Sequence, residues 1–302
     1  MSTVAIAQND AIEQAVAEAL SHVPLKALVR NKRVAVKPNE TWASAEDRTG
    51  VTQPDTLRAV LRQLKQHGPK ELVVSGGSGA AETEDVFRIA GLMDVVEEEG
   101  ADFFDHNRPP FEEVALEYDP QRDMEGPQKS VMVNPRVLEY ETLISLSQLK
   151  LHETATVTLA LKNIAMSFPA ADYYGHPRSR QKHGHHFFAD MHSFIAAMAK
   201  RFPIQLAIIA GHPAMIGTGP LGGHAFETGL VIASADAVAA DAVGAKLLGF
   251  GVQAVRHLWE AKQLQLGETD LDAMEFPALS IREAIESFTA AAYGKALTFE
   301  HA

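Results

Sequence analysis

The sequence predicts an α/β fold: an open, mostly parallel sheet with crossover helices. Three observations carry this. Apolar runs such as RVAV at 33–36, ELVV at 71–74 and LAII at 206–209 are too short for helices and suit buried strands. Segments with helical apolar spacing lie between them, and glycine or proline breaks the chain where the runs end. Strand, helix, strand, glycine loop, helix is the order expected of parallel strands joined by crossovers.

Taken in order, the opening residues read as an amphipathic helix over about 8–21. Residues 33–39 form a strand that breaks at Pro38. Pro54 opens a helix with Leu57, Val60, Leu61 and Leu64 on one face, stopped by Gly68 and Pro69. A second strand at 71–75 runs into GGSG (76–79), and a helix follows from Glu82 to Ala90. Further strands are expected at 101–105, 130–134 and 142–147. Residues 106–128, rich in Pro, Asp and Glu, read as a surface excursion. A helix over 154–166 precedes a loop at 167–186, and another spans 188–201. The strongest apolar strands, 204–211 and 228–234, flank a glycine-rich loop. Helices at 235–248, 252–264 and 281–291 close the chain. The expected division is an N-terminal lobe, 1–140, and a C-terminal lobe, 141–302.

With 302 residues, 46% of them hydrophobic and 22% charged, the chain can bury a sizeable core. A net charge of -12 disfavours a nucleic-acid partner. The absence of cysteine excludes disulfides, thiolate zinc sites, a cysteine nucleophile and an iron–sulfur cluster held by the chain itself. No basic-then-apolar leader opens the sequence and no run of about 18 apolar residues occurs, so neither a membrane span nor a membrane partner is expected, and a cytoplasmic location is. Oligomeric state is left open, a homo-oligomer being allowed.

Ligands of open α/β sheets bind beyond the carboxyl ends of the strands. The loops there are KPN (37–39), SGGSG (75–79), the segment at His152, and 211–224, and all four should face one crevice. Lys37 and Asn39 suit a phosphate or carboxylate. GGSG, with Ser78, can cradle an anion through its backbone N–H groups, although it is neither a Walker loop nor a full dinucleotide fingerprint. Gly219 and Gly222, in GTGPLGGH (217–224), let backbone approach a ligand closely. Of 13 histidines, eight fall between residues 152 and 224. His176, His183, His185 and His224 are the candidate metal ligands. Lys162, in an apolar context, is a candidate for anion binding or covalent attachment, because a buried lysine loses its proton readily. A continuous helix after His152 would put Lys162 roughly 15 Å along the axis; a helix starting later would bring the two closer. Asp241, set among alanines and valines, must be paired, with Lys37 one conceivable partner. Plainer readings stand beside these: hydrated loop histidines, a lysine snorkelling at a helix end, an ordinary flexible glycine loop.

The ordered set KPN (37–39), SGGSG (75–79), LKLHETATVTLALKN (149–163), GTGPLGG (217–223) and ADAVAADAVGAKLLGF (235–250) resembles the family of domain of unknown function 362, over about residues 32–270. Many members carry appended iron–sulfur segments, which this cysteine-free chain lacks. Relatives often place acidic residues before GTGP, where Ala210 and Ile216 stand here. The spacing of His152 and Lys162 is more distantly similar to that in the nickel-pincer lactate racemases. That likeness implies Lys162 as the carrier of a pincer-type nucleotide cofactor, His152 as acid/base, His176 or His183 as nickel ligand, and His106 as a second acid/base group. Three readings follow. The first is a metal-dependent enzyme, with Ni, Fe or Zn on histidine, performing acid/base chemistry on a small oxygenated or anionic substrate, racemase- or isomerase-like before lyase- or oxygenase-like. The second is a metal-free protein that binds a small ligand through a histidine-lined pocket. The third is phosphate-ester or nucleotide binding through GGSG and Lys37.

Overall fold

In the computed structural model, residues 1–118, 129–174, 188 and 190–297 are described. The apolar runs form one twisted sheet. Its central strands are β3 (Arg33–Pro38), β4 (Glu71–Gly76), β8 (Thr142–His152) and β10 (Leu206–Ile216), with β5 (Asp102–Asp105) at one edge. These five run parallel in the order β10-β8-β3-β4-β5. Beyond β10, β12 (Leu230–Ser234) and β2 (Ala5–Gln8) continue the sheet antiparallel. Two short strands, β9 (Thr156–Thr158) and β11 (His224–Phe226), fold back on the extended ends of β8 and β10. The sheet thus takes strands from both sides of residue 140.

Period-two alternation gives the sheet two apolar faces. Val34 and Val36 pack on one face with α1 (Ile12–Ser21), α2 (Leu25–Val29), α3 (Pro54–Lys65), α4 (Thr83–Ala90) and α5 (Leu92–Glu98). Ala35 and Leu143 pack on the other with α6 (Ala160–Ala165), α7 (Met191–Arg201), α8 (Ala237–Leu247), α9 (Arg256–Gln263) and α10 (Ile281–Tyr293). Outside the sheet, β1 (Ser2–Thr3) pairs with β13 (Met274–Glu275), and β6 (Glu112–Ala115) with β7 (Ser130–Val133). Among the described residues no helix is long and apolar enough to cross a membrane.

Two local expectations change. The opening residues are not helical throughout: Ala5–Gln8 is a strand, because AIAQ alternates toward a sheet edge that needs a partner, and α1 begins only at Ile12. The helix expected over 154–166 is shorter. Strand β8 runs on to His152, the chain turns, β9 pairs back in the register Lys150↔Thr158 and His152↔Thr156, and α6 starts at Ala160. The β-branched Val157 and Thr158 favour this hairpin over helix. The later start carries Lys162 back toward the sheet rather than out along a three-turn helix.

Candidate functional site

From β3 the chain crosses to β4 and β5 on one side; from β8, on the other side of β3, it crosses to β10. The strand order therefore reverses between β3 and β8, the topological switch point at which open α/β sheets bind ligands. A narrow cleft lies there, lined by Lys37 at the end of β3 and Asn39 just after it, Gly77 and Gly79 after β4, and Thr158, Lys162, Asn163 and Ser167 around α6.

Four polar side chains form its floor. Lys37 Nζ lies 2.6 Å from Glu40 Oε2 and donates to Asn163 Oδ1 at 3.1 Å. Glu40 Oε1 accepts the Gly77 N–H at 2.8 Å, so one carboxylate joins the KPN loop to the GGSG loop. Asn163 Oδ1 also accepts from Asn39 Nδ2 at 3.3 Å, while Asn163 Nδ2 donates to the Lys37 carbonyl and to Ser145 Oγ, both at 3.1 Å. Because a carbonyl can only accept, this chain of bonds fixes which way both amides point.

Three lysines are buried here: Lys37, Lys150 and Lys162. Burial brings Lys162 down to about 7, helped by the charge of Lys37. Burial also brings Lys150 to about 7, with Lys162 and Lys37 adding to it. Lys37 is lowered by burial too, against the pull of Glu40. Lys150 Nζ, behind the cleft, donates to the Gly50 carbonyl at 2.6 Å and to Gln148 Oε1 at 3.2 Å. Desolvation favours the neutral amine form of a lysine over its ammonium form, and neighbouring like charges reinforce it.

Asp241 positions α6. Its carboxylate, fully buried on α8, accepts the N–H groups of Ala160 at 2.7 Å and Leu161 at 2.9 Å, and burial raises its pKa to about 7 despite those bonds. The partner of this buried acid is thus the start of the helix carrying Lys162 and Asn163, not Lys37.

The expected site residues divide between the cleft and other places. Lys37, Asn39 and Lys162 line it together. Ser78 lies just behind, its hydroxyl donating to the Glu40 carbonyl at 2.6 Å. His106 sits beneath Gly77: Nε2 is 3.0 Å from the Ser167 carbonyl, to which it can only donate, and Nδ1 is 3.0 Å from Ser75 Oγ. A Cβ on Gly77 would fall 2.0 Å from His106 Nε2, so the glycine is required by close approach. His152 ends β8, with Nδ1 accepting the N–H groups of Thr154 and Ala155 at 3.1 Å each. Gly219 packs against the Leu151 carbonyl and accepts from Glu153 N at 2.9 Å; Gly222 occupies a left-handed turn at φ 70°. Neither glycine lines the cleft. His224 is exposed and stacks on Phe226. His176, His183 and His185 lie outside the described residues. Among the described residues no three His, Asp or Glu side chains meet as a metal site. Among the described residues two imidazoles meet, His192 and His257, with Nδ1 atoms 3.1 Å apart. Burial lowers both, and the charges of His192 and Lys162 push His257 further.

Sequence reasoning passed over Glu40, Lys150, Thr158, Asn163 and Ser167. Glu40 directly follows KPN, and Lys150 and Asn163 fall inside the quoted 149–163 motif, so the signal was present as motif membership.

The family model described as Domain of unknown function (DUF362) matches residues 34–246, which spans every cleft residue. A thylakoid-associated protein of Synechocystis sp. is 24% identical over 271 residues, covering 84% of this chain and 74% of its own. A crystal structure of a Thermotoga maritima protein aligns with a TM-score of 0.42 at 12% identity, over 85% of this chain; the chain spans 60% of that protein's length. With the family model matched across well over half its length, the chain belongs to the DUF362 family.

Proposed function

We propose that this protein binds a small anionic, oxygenated molecule in the cleft between β3 and β8, and that Lys162 exchanges a proton with it. One observation carries the reading: Lys37, Lys150 and Lys162 are buried close enough together that like charge lowers Lys150 and Lys162, with Glu40 hydrogen-bonded to Lys37. Burying several ammonium groups close together is costly, and an incoming anion relieves that cost. With its pKa drawn to about 7, Lys162 is divided between acid and base forms near neutrality, the condition for general acid/base work. The narrowness of the cleft favours a small carboxylate or a single phosphate group over a nucleotide. The reading includes a small-molecule enzyme in the cytoplasm. It is tested by calorimetry and thermal unfolding with small carboxylates and phosphates. Binding that disappears in Lys162→Met supports it; failure of every such anion to bind or stabilise overturns it.

The metal-dependent form of the reading rests on His176, His183 and His185. Of the expected ligands, His224 is exposed, and among the described residues no group of three His, Asp or Glu side chains gathers around it. Metal analysis of protein purified without a histidine tag tests this form: stoichiometric nickel, iron or zinc that is lost in His176→Ala or His183→Ala supports it, and its absence from folded protein refutes it.

A further inference from the structure

The hydrogen-bonding capacity of the cleft goes beyond attraction for negative charge. Asn39 and Thr158 are each 3% exposed and both line it. Asn39 Oδ1 and Thr158 Oγ1 are fully buried and have no hydrogen-bond partner among the described residues. The direction of the Asn39 amide is not free to change. Its Nδ2 donates to Asn163 Oδ1, and Asn163 is itself fixed because its Nδ2 donates to the Lys37 carbonyl. Asn39 therefore keeps an unpaired carbonyl oxygen, a pure acceptor, at a cleft whose charged lining residues are Lys37 and Lys162. A bare anion leaves that oxygen unmatched, and an unmatched buried acceptor is costly.

We infer that the ligand is an oxyanion that carries its own O–H, with the anionic oxygens toward Lys162 and the O–H donated to Asn39 Oδ1. Thr158 Oγ1, donor and acceptor at once, can serve either part. This deepens, and rests on, the reading of the cleft as an anion site. Two kinds of molecule share the chemistry: a phosphate group that retains a proton near neutral pH, and a carboxylate with a neighbouring hydroxyl.

The test compares matched probes on the intact protein by calorimetry at pH 7. Inorganic phosphate is paired with sulfate, which has the same shape and no proton; glycolate is paired with acetate, which lacks the hydroxyl. The expected result is at least about tenfold tighter binding of the O–H-bearing member of one pair, and the pair that discriminates identifies the source. In Asn39→Leu the preference should fall to about twofold or less. Equal binding within both pairs overturns this inference while leaving the anion site standing, and a preference that survives intact in Asn39→Leu overturns Asn39 as its reader. Failure of all four probes to bind defeats the anion reading itself. The wild-type comparison decides the main point even if Asn39→Leu does not fold.

Discussion

Replacing Lys162 with methionine isolates the energetic consequence of burying an ammonium group beside two others. The substitution keeps the length and apolar stem of the side chain and removes the charge. In the unfolded chain the lysine titrates near 10.5; in the fold it titrates at about 7. Below pH 7 both states hold the proton, and the native protein bears the whole penalty of burying it. Between pH 7 and 10.5 the unfolded chain keeps a proton that the fold has released, so wild-type stability rises through this group by about 1.4 kcal/mol per pH unit. Over pH 7 to 10 the gain is on the order of 4 kcal/mol. Methionine has no such dependence. The variant should therefore be the more stable protein at pH 6–7, and its advantage should shrink steadily until pH 10. Other titrating groups shared by the two proteins, such as His212, raised to about 9 chiefly by its hydrogen bond to Asp55, cancel in the difference. Lys150 does not cancel fully, because the charge of Lys162 lowers it, which adds to the variant's advantage near neutrality. Urea unfolding at pH 6, 7, 8, 9 and 10 in buffer free of oxyanions measures the gap. A gap that stays constant across that range would refute the argument, since it would mean that Lys162 holds its proton in the fold as it does in water.

Affinity for acetate or glycolate, whose own charge is constant above pH 6, should be highest below pH 7. It should weaken by up to about tenfold per pH unit above that for each lysine that must regain a proton; calorimetry at pH 6, 8 and 9 reads this, and constant affinity contradicts it. Asp241→Ala leaves the N–H groups of Ala160 and Leu161 without their acceptor and should destabilise the fold by about 1–3 kcal/mol for each amide, seen as a lower urea midpoint at pH 7. Gly77→Ala drives a methyl group into His106 and should cost about 1–3 kcal/mol or more, whereas Gly79→Ala, whose methyl meets nothing within 4 Å, should leave the melting temperature nearly unchanged.

The sheet was legible because its strands are buried on both faces and so read as continuous apolar runs: Val34–Val36 and Leu206–Ile209 need no context to be recognised. The cleft was partly legible. Lys37 and Asn39 stand where a strand breaks, and Lys162 stands out among apolar neighbours. Lys150 escaped notice because LKLH alternates polar with apolar as a half-exposed strand does, while here both faces of β8 are covered and the lysine is 1% exposed. The Lys37–Glu40 pair was not foreseen because its geometry depends on the turn after Pro38, and Asn163 acts through residues more than 120 positions away. The segment after His152 reads as helix from sequence because the apolar spacing of 155–164 fits either period; the pairing with β8 that decides it is a tertiary contact. The N-terminal strand escaped for the same reason, its partner lying near the far end of the sequence.

That partner has a bearing on synthesis. Gln8 meets Leu230, 222 positions later, and Asn9 is tied to Gly229. At about 5–20 residues per second, the nascent N-terminal strand waits on the order of 10–45 s before the segment that completes its hydrogen bonds is made. Throughout that interval an apolar, β-prone stretch is held off the ribosome with open amide and carbonyl groups, a state suited to capture by chaperones. Release of a native protein is thereby timed by the last third of translation rather than by the first.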